Sequence, residues 1–245
     1  MSSYSEASHA NNVAAFEELI ARCAGYGAAY NPSRQNLQVS GLTVMQENVK
    51  QMLTGLKLSE AEFFDARNTR IIAIRQLKDL ARKIVNVLAA MGASPETRND
   101  ARLLLRKIDG RRSSPGSADA EKADPNAPPP RINSSSQTGF DNLLSHFGRL
   151  IALVQVEKTY QPNEPELQIN SLANQLADWQ AINNLVVNRE TALENRRQER
   201  DRLMYLGPDC MGILFHDVKK YVKGIFGAGS PEYKQISGLR FRMYK

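Results

Sequence analysis

Basic side chains crowd the sequence between Lys219 and Lys245, and they are the residues best suited to contact another molecule. Seven lysines and arginines lie there with Glu232 as the only acid, so this stretch accounts for the net charge of +6 of the whole chain. Aromatic residues lie among the cations, a mixture typical of sites for single-stranded nucleic acid. The candidate contact residues are Lys219, Lys220, Lys223, Lys234, Arg240, Phe241, Arg242, Tyr244 and Lys245.

Residues that could carry catalysis or bind a metal are few and unfavourably spaced. His9 belongs to the start of the chain, while His146 and His216 fall inside helical patterns. Cys210 and His216 are separated by roughly 240° around a helix and cannot form a local dyad. The sequence contains no HExxH, no paired Glu-x-x-His, no phosphate-binding loop and no nucleophile elbow. We therefore expect a non-enzymatic protein with no catalytic residue, no cofactor and no metal site.

The cysteines and the start of the sequence bear on the cellular compartment. Cys23 and Cys210 lie far apart without a CxxC partner, as expected of reduced thiols in a core. The first residues show neither a basic start nor an apolar signal region, and no window approaches the roughly 20 apolar residues of a membrane span. We expect a cytoplasmic protein without a membrane span.

Two stretches of the sequence occur twice in the same order. Residues 30–42 (YNPSRQNLQVSGL) return as residues 160–172 (YQPNEPELQINSL), and Ser94-Pro95-Glu96 returns as Ser230-Pro231-Glu232. A shared aromatic-x-Pro corner and a shared helix start, in one order, indicate an internal duplication. The apolar content of 42% and the helix-favouring composition predict an all-α fold.

The duplication predicts two tandem, homologous, antiparallel helical bundles. We expect a disordered start (1–11), a first bundle (12–110), a disordered Pro/Ser-rich linker (111–138), a second bundle (139–238) and a strand-like tail (239–245). In the first bundle Asn12 is the expected cap of the opening helix, and the long helical pattern is expected to break between Asp65 and Arg70. In the second, a coiled-coil-like seam that includes Trp179 and Asn183 is expected to run until Gly207-Pro208.

Two charged segments admit different interpretations. The tail alternates apolar and mostly basic residues from Leu239, which predicts an extended strand that packs along the bundle or pairs with a neighbouring chain. The arginines between Arg196 and Arg202 are interleaved with acids, which favours a salt-bridged, solvated helix face.

The aromatic-x-Pro corners at Tyr30 and Tyr160, together with residues 230–241 (SPEYKQISGLRF), resemble a group of uncharacterised bacterial proteins built from duplicated helical-bundle halves. The resemblance implies the duplication and carries no activity and no functional residue. We therefore expect a non-enzymatic structural or protein-interaction module that self-associates through its C-terminal segment. The alternative is a nucleic-acid-binding protein that uses Lys219–Lys245.

Overall fold

The computed structural model describes residues 6–110 and 139–243, and over these residues the chain is all-helical, without a strand. The all-α prediction is therefore confirmed. None of the helices in the described ranges combines the length and the apolar character needed to cross a membrane. The helices are α1 (Glu6–Gly25), α2 (Val39–Ala90), α3 (Pro95–Asp109), α4 (Phe140–Val156), α5 (Ile169–Asp201), α6 (Met211–Phe226) and α7 (Pro231–Ser237). A π-helical turn, Arg202–Leu206, extends α5.

The two Ser-Pro-Glu starts cap helices in the same way. The Ser94 hydroxyl accepts a hydrogen bond from the Thr97 backbone N–H at 3.1 Å, and the Ser230 hydroxyl accepts one from the Tyr233 N–H at 3.0 Å. In both helices proline occupies the first turn, where no N–H is needed. The predicted starts of α3 and α7 are therefore confirmed.

The two aromatic-x-Pro corners share one local geometry. The buried Tyr30 hydroxyl donates to the Leu37 carbonyl at 2.5 Å, and the buried Tyr160 hydroxyl donates to the Leu167 carbonyl at 3.0 Å. Each leucine ends a short 3-10 turn, and the next helix begins two residues later. A buried tyrosine hydroxyl usually finds such an acceptor, and here it ties the corner to the start of the long helix.

One compact unit combines the chain up to Glu62 with the chain from Glu190 onward. It contains α1, the first part of α2, the end of α5, the π-helical turn, α6 and α7. Its core is a continuous apolar cluster of side chains from these elements, because each helix presents apolar residues at spacings of three and four. The fully or almost fully buried members include Phe16, Leu19, Leu42, Val49, Met204, Met211, Phe215, Val218, Val222 and Ile236.

The other compact unit is Phe63–Arg189, which contains the second part of α2, α3, α4 and the first part of α5. Trp179 is buried in its core with its ring centroid 5.2 Å from that of Phe147, which confirms the prediction that Trp179 fills the core. The seam residue Asn183 is also buried; it donates to Asp141 at 2.8 Å and accepts from Arg70 at 3.3 Å. These bonds satisfy a polar group that would otherwise be costly to bury.

Each compact unit draws helices from both halves of the chain, whereas the sequence predicted one bundle per half over residues 12–110 and 139–238. The physical reason lies in α2, which is one uninterrupted helix of 52 residues. A straight helix cannot fold back to complete the core around its own first turns. Its second part, with Ile84 and Leu88, shares a core with α4 and α5 instead.

The predicted break between Asp65 and Arg70 is wrong, because α2 continues through these residues. That expectation came from the break at Gly207-Pro208 in the other half. The first half has no Gly or Pro from Leu56 to Met91, and its leucines, alanines, lysines, arginines and glutamates favour helix. Nothing in this stretch removes a backbone donor or favours another backbone conformation.

The beginning of the described chain also differs from expectation. Helix α1 starts at Glu6, so residues 6–11 of the stretch predicted to be disordered are helical, and Asn12 lies inside the helix where it cannot act as a cap. The predicted linker, residues 111–138, lies outside the described residues, as do residues 1–5.

The continuity of α2 can be tested at Asn68, which is exposed within the expected break. Asn68→Pro removes a helix hydrogen bond and introduces a clash with the preceding turn, so we expect it to lower the free energy of unfolding by about 3 kcal/mol or more. Asn68→Ala is the matched control and should leave stability equal or slightly higher. Urea unfolding followed by circular dichroism measures both. A proline variant as stable as the wild-type protein would mean that the helix is interrupted here.

Candidate interaction surface on helices α6 and α7

Helix α6 separates an apolar face from a basic face. Its buried side chains recur at helical spacing, which places Lys220 and Lys223 on the opposite side and Lys219 at the boundary between the two faces. Helix α7 adds Lys234 in its last turn. We call Lys219, Lys220, Lys223 and Lys234 the basic surface. The buried positions of α6 are Met211, Gly212, Leu214, Phe215, Val218 and Val222.

A shallow groove of about 540 Å³ runs along the basic surface between α6 and α7. Three of the predicted contact residues line this groove together with a histidine, a tyrosine and an aspartate. The groove is open to solvent, so it suits a side chain or an extended ligand better than an enclosed small molecule. The lining residues are Ile213, His216, Asp217, Lys219, Lys220, Lys223 and Tyr233.

Lys219 is bound within the protein. Its ammonium donates to the Ser237 carbonyl at 2.8 Å and to the Leu239 carbonyl at 2.9 Å, and it lies 5.6 Å from the centre of the Phe215 ring. Burial lowers the pKa of its ammonium group. Lys219 therefore fastens the end of α7 to α6 and has less capacity to bind an external anion.

Lys220 is the most available cation of the groove. Its side chain is 77% exposed, and its nearest anion is Asp217 at 3.2 Å. Asp217 also binds Arg34, at 3.0 Å, and Arg34 binds Asp209 in addition. Burial alone would raise the pKa of the Asp217 carboxyl, but hydrogen bonds from Lys220 and Arg34 outweigh it and lower that pKa. The acid nearest the groove is thus already neutralised by Arg34.

His216 lies in the groove between lysines. Desolvation lowers the pKa of its imidazole, and the charges of Lys219 and Lys220 lower it further. At neutral pH the ring is therefore uncharged. An anion bound in the groove would counter the lysine charges and favour the imidazolium form.

The aromatic residues of the basic segment that the structure describes are occupied by internal packing. Phe241 is buried, with its ring 5.5 Å from that of Phe215. Tyr221 packs edge-on against Tyr30 at 5.5 Å, and Lys223 lies 5.9 Å from the centre of the Tyr233 ring. These rings serve the core and the lysine stems, whereas a single-stranded nucleic acid needs open ring faces on which bases can stack.

The remaining predicted contact residues have different environments. Arg240 and Arg242 are exposed, while Phe241 between them points into the core. Tyr244 and Lys245 lie outside the described residues. Residues 239–243 form no strand, and side chains of other elements bind their backbone at Leu239 and Arg242. Of the two alternatives for this tail, packing along the bundle is the one observed.

The tail is held by a buried polar cluster that the sequence interpretation missed. The Asn12 amide donates to the Arg242 carbonyl at 2.9 Å and accepts from the Arg242 N–H at 2.9 Å. The same amide lies 3.3 Å from the Tyr205 hydroxyl, which also bonds His9 at 2.6 Å. We call Leu239–Met243 the clamped segment. His9, which the sequence analysis assigned to the start of the chain, is buried in this cluster.

A comparison of α1 with α4 shows how these residues could have been found. Pairing the buried Phe16 with Phe147 and Leu19 with Leu150 aligns the two helices throughout their buried faces. The alignment then places polar residues of α1 opposite apolar residues of α4 at positions that are buried in both. The pairs are His9 with Phe140 and Asn12 with Leu143. A polar residue at a buried position, aligned with an apolar residue in the other half of the chain, is therefore the pattern that could have identified these residues.

The two cysteines and the arginine run of α5 have the environments that the sequence predicts. Cys23 and Cys210 are free and buried, and burial raises the pKa of the Cys23 thiol to about 11. The arginine run on α5 makes ion pairs, Arg196 with Glu199 at 2.9 Å and Arg197 with Glu60 at 3.4 Å, which confirms a salt-bridged face. Among the described residues, no group of three His, Cys, Asp or Glu side chains is arranged to hold a metal ion.

No family model, curated protein or solved structure matches this chain. The comparison that carries information is therefore the one between the two halves of the chain itself.

The anchoring role of Lys219 can be separated from its charge by a matched pair of variants. Lys219→Met keeps the apolar stem over Phe215 but leaves the Ser237 and Leu239 carbonyls without a donor, so we expect a loss of about 1–3 kcal/mol in unfolding free energy. Lys220→Met removes an equal charge from an exposed site and should change stability by less than about 0.5 kcal/mol. Urea unfolding of both variants checks this. Equal losses would show that charge alone matters.

Proposed function

We propose that this protein is a non-enzymatic helical interaction module whose basic surface binds an acidic protein partner. The supporting observation is the groove beside α6, in which lysines outnumber acids and the one acid, Asp217, is bound by Arg34. Lys220 and Lys223 are exposed there, while Tyr233 and Ile213 offer apolar contact beside them. Cations beside apolar side chains suit a peptide that carries carboxylates.

The nucleic-acid alternative uses the same cations, but it also requires aromatic rings on which bases can stack. Phe241 and Tyr221 are committed to the core, and Tyr233 is covered on one side by Lys223. The available lysines can attract phosphates but leave bases without stacking partners among the described residues. An acidic protein needs only the cations and the apolar rim, so we rank it first.

We also propose that the two halves arose by duplication of one helical unit. Support comes from the matching corners at Tyr30 and Tyr160, the matching caps at Ser94 and Ser230, and the aligned buried faces of α1 and α4. The basic surface belongs to the second half only. At the place of Lys219 the first half has an apolar residue, Val85, when the buried Ile84 is aligned with Val218. The interaction role is thus specific to the second half.

Two labelled probes distinguish the partners. One is a peptide with about six glutamates, and the other is a single-stranded oligonucleotide with about six phosphates, each titrated into the full chain by fluorescence anisotropy. We expect the peptide to bind more tightly. A phosphate ligand would instead show a steep loss with salt, about 0.7 logarithmic units per contact for each tenfold rise in salt. Tighter binding of the oligonucleotide would favour the alternative.

The site of binding is tested by charge reversal. Lys220→Glu combined with Lys223→Glu should weaken the acidic peptide at least about tenfold, because each attraction becomes a repulsion. The matched control reverses two exposed lysines elsewhere, Lys57→Glu with Lys158→Glu, and gives the same net charge. Equal weakening by both double variants would mean that only net charge matters, and the proposed surface would be wrong.

The proposal also predicts the pH dependence of binding. Since the pKa of His216 is lowered in the free protein, the ring is neutral at about pH 7.5 and gains its proton as the pH falls. Once the ring is protonated, the added charge should strengthen peptide binding roughly fivefold, because one charge near an exposed anion contributes about 1 kcal/mol. His216→Gln keeps the size of the side chain and should abolish the dependence. Titration by anisotropy at several pH values measures both; an unchanged pH profile in the variant would exclude His216.

A further inference from the structure

The clamped segment lies in a groove whose side chains bind its backbone. The groove is formed by α1, the π-helical turn and α6, and it binds mainly the backbone of its occupant. Asn12 pairs with both the N–H and the carbonyl of Arg242, as a neighbouring strand would, and Lys219 binds the Leu239 carbonyl. Backbone hydrogen bonds of this kind recognise an extended conformation whatever its sequence.

Side-chain recognition in the groove is concentrated at Phe241. Its ring lies 6.0 Å from the Tyr205 ring and 5.5 Å from the Phe215 ring. Gly212 forms the floor, since a Cβ atom there would lie 2.9 Å from Phe241 Cε1 and would overlap Met243 Sδ. The groove therefore selects a large apolar side chain on one face of the occupant. Arg240 and Arg242 point to solvent on the other face.

The residues that hold the clamped segment can be compared with the aligned residues elsewhere in the chain. The comparison shows that they are particular to this groove and are not general features of the repeated unit. Aligning the fully buried Ile84 with Val218 and Leu88 with Val222 pairs α6 with the second part of α2. Three positions that contact the clamped segment then differ in kind between the halves. Asn12, Gly212 and Lys219 correspond to Leu143, Lys78 and Val85.

The clamped segment can leave the groove with the loss of a single buried side chain from the core. It follows Gly238, which is exposed and has open space where a Cβ would lie. Phe241 is its one buried side chain, while Met243 is 42% exposed. Segments with so few buried contacts open at low free energy while the rest of the fold remains intact.

We propose that this groove is a peptide-binding site through which two copies of the chain exchange their clamped segments. The occupant seen in the groove is the chain's own segment, so the same segment of a second copy carries the same complementary Phe241 and the same backbone pattern. Exchange of an identical element reproduces every contact and is a low-cost route to a dimer. This site shares Lys219 with the basic surface but does not depend on the acidic partner proposed above.

The test uses two complementary variants of the full chain. Phe241→Ala gives a receptor copy, with an intact groove and a defective segment. Asn12→Leu gives a donor copy, with an intact segment and a groove converted to the apolar residue that the other half carries at Leu143. Gly212→Ala is a second donor that blocks the groove floor and favours helix formation. A chain ending at Gly238 is a second receptor.

Receptor and donor copies should associate only with each other. Light scattering on separated samples should show monomers of each variant alone and a mixed dimer when a receptor is combined with either donor. A labelled peptide of residues 237–243 should bind the receptors at least tenfold more tightly than the wild-type chain, whose own segment competes, and should not bind the donors. Circular dichroism confirms that each variant is folded before it is scored.

The proposal is overturned if folded receptor and donor form no mixed dimer at concentrations that saturate a receptor with the peptide. It is equally overturned if the peptide binds the Asn12→Leu and Gly212→Ala chains as well as it binds the receptors. The Lys220→Glu, Lys223→Glu double variant should exchange segments normally. Its loss of acidic-peptide binding with normal exchange would separate the two sites, and loss of exchange would place the segment contact on the basic surface instead.

Discussion

The unbroken hydrogen-bond ladder of α2 is the constraint on which the rest of the structure depends. A helix of 52 residues rises about 1.5 Å per residue, so its two ends cannot bury apolar side chains in the same small core. Leu42 and Leu88 are both fully buried, yet they belong to different apolar clusters. Each cluster is completed by helices from the other half of the chain, because α5, the π-helical turn and α6 supply the apolar faces that the first half lacks. A tandem pair of bundles would need α2 to turn back on itself, and the sequence provides no residue that would make it do so.

The second half of the chain has a π-helical turn at the place where α2 continues without interruption in the first half. Where α2 continues, α5 widens at Arg202–Leu206 and ends before Gly207. The wider turn places Met204 and Tyr205 in the core. Tyr205 then needs partners for its hydroxyl, and His9 and Asn12 of α1 provide them. In the other unit the aligned positions, Phe140 and Leu143, are apolar. One local change in helix geometry thus accounts for the buried polar cluster of this unit, since polar groups placed in a core require polar neighbours.

The sequence was sufficient for features that depend on local chemistry. Serine, proline and glutamate in order specify helix starts, the periodic apolar residues specify all-α structure, and the interleaved charges of α5 specify a salt-bridged face. It was insufficient where the outcome depends on distant partners. Nothing near Asp65 indicates which half will bury Ile84, and nothing near His9 reveals that Tyr205 lies beside it. The candidate contact residues were divided for the same reason. Lys220 and Lys223 are exposed, whereas Phe241 is buried in the core and Lys219 binds a backbone carbonyl.

Lys219 contacts the clamped segment and also belongs to the basic surface. Its position therefore determines how occupancy of one site would affect binding at the other. Its ammonium group is held by the carbonyl of Leu239, the first residue of the clamped segment, and it also borders the groove beside α6. While the segment is seated, this charge is partly neutralised by carbonyl oxygens and contributes little to the attraction of an external anion. When the segment leaves, one of these carbonyls leaves with it, and the lysine regains freedom to face the groove. Under both proposals, an anionic ligand on the basic surface would favour release of the segment, and release would favour the ligand to the same extent, because coupling between two binding equilibria is reciprocal.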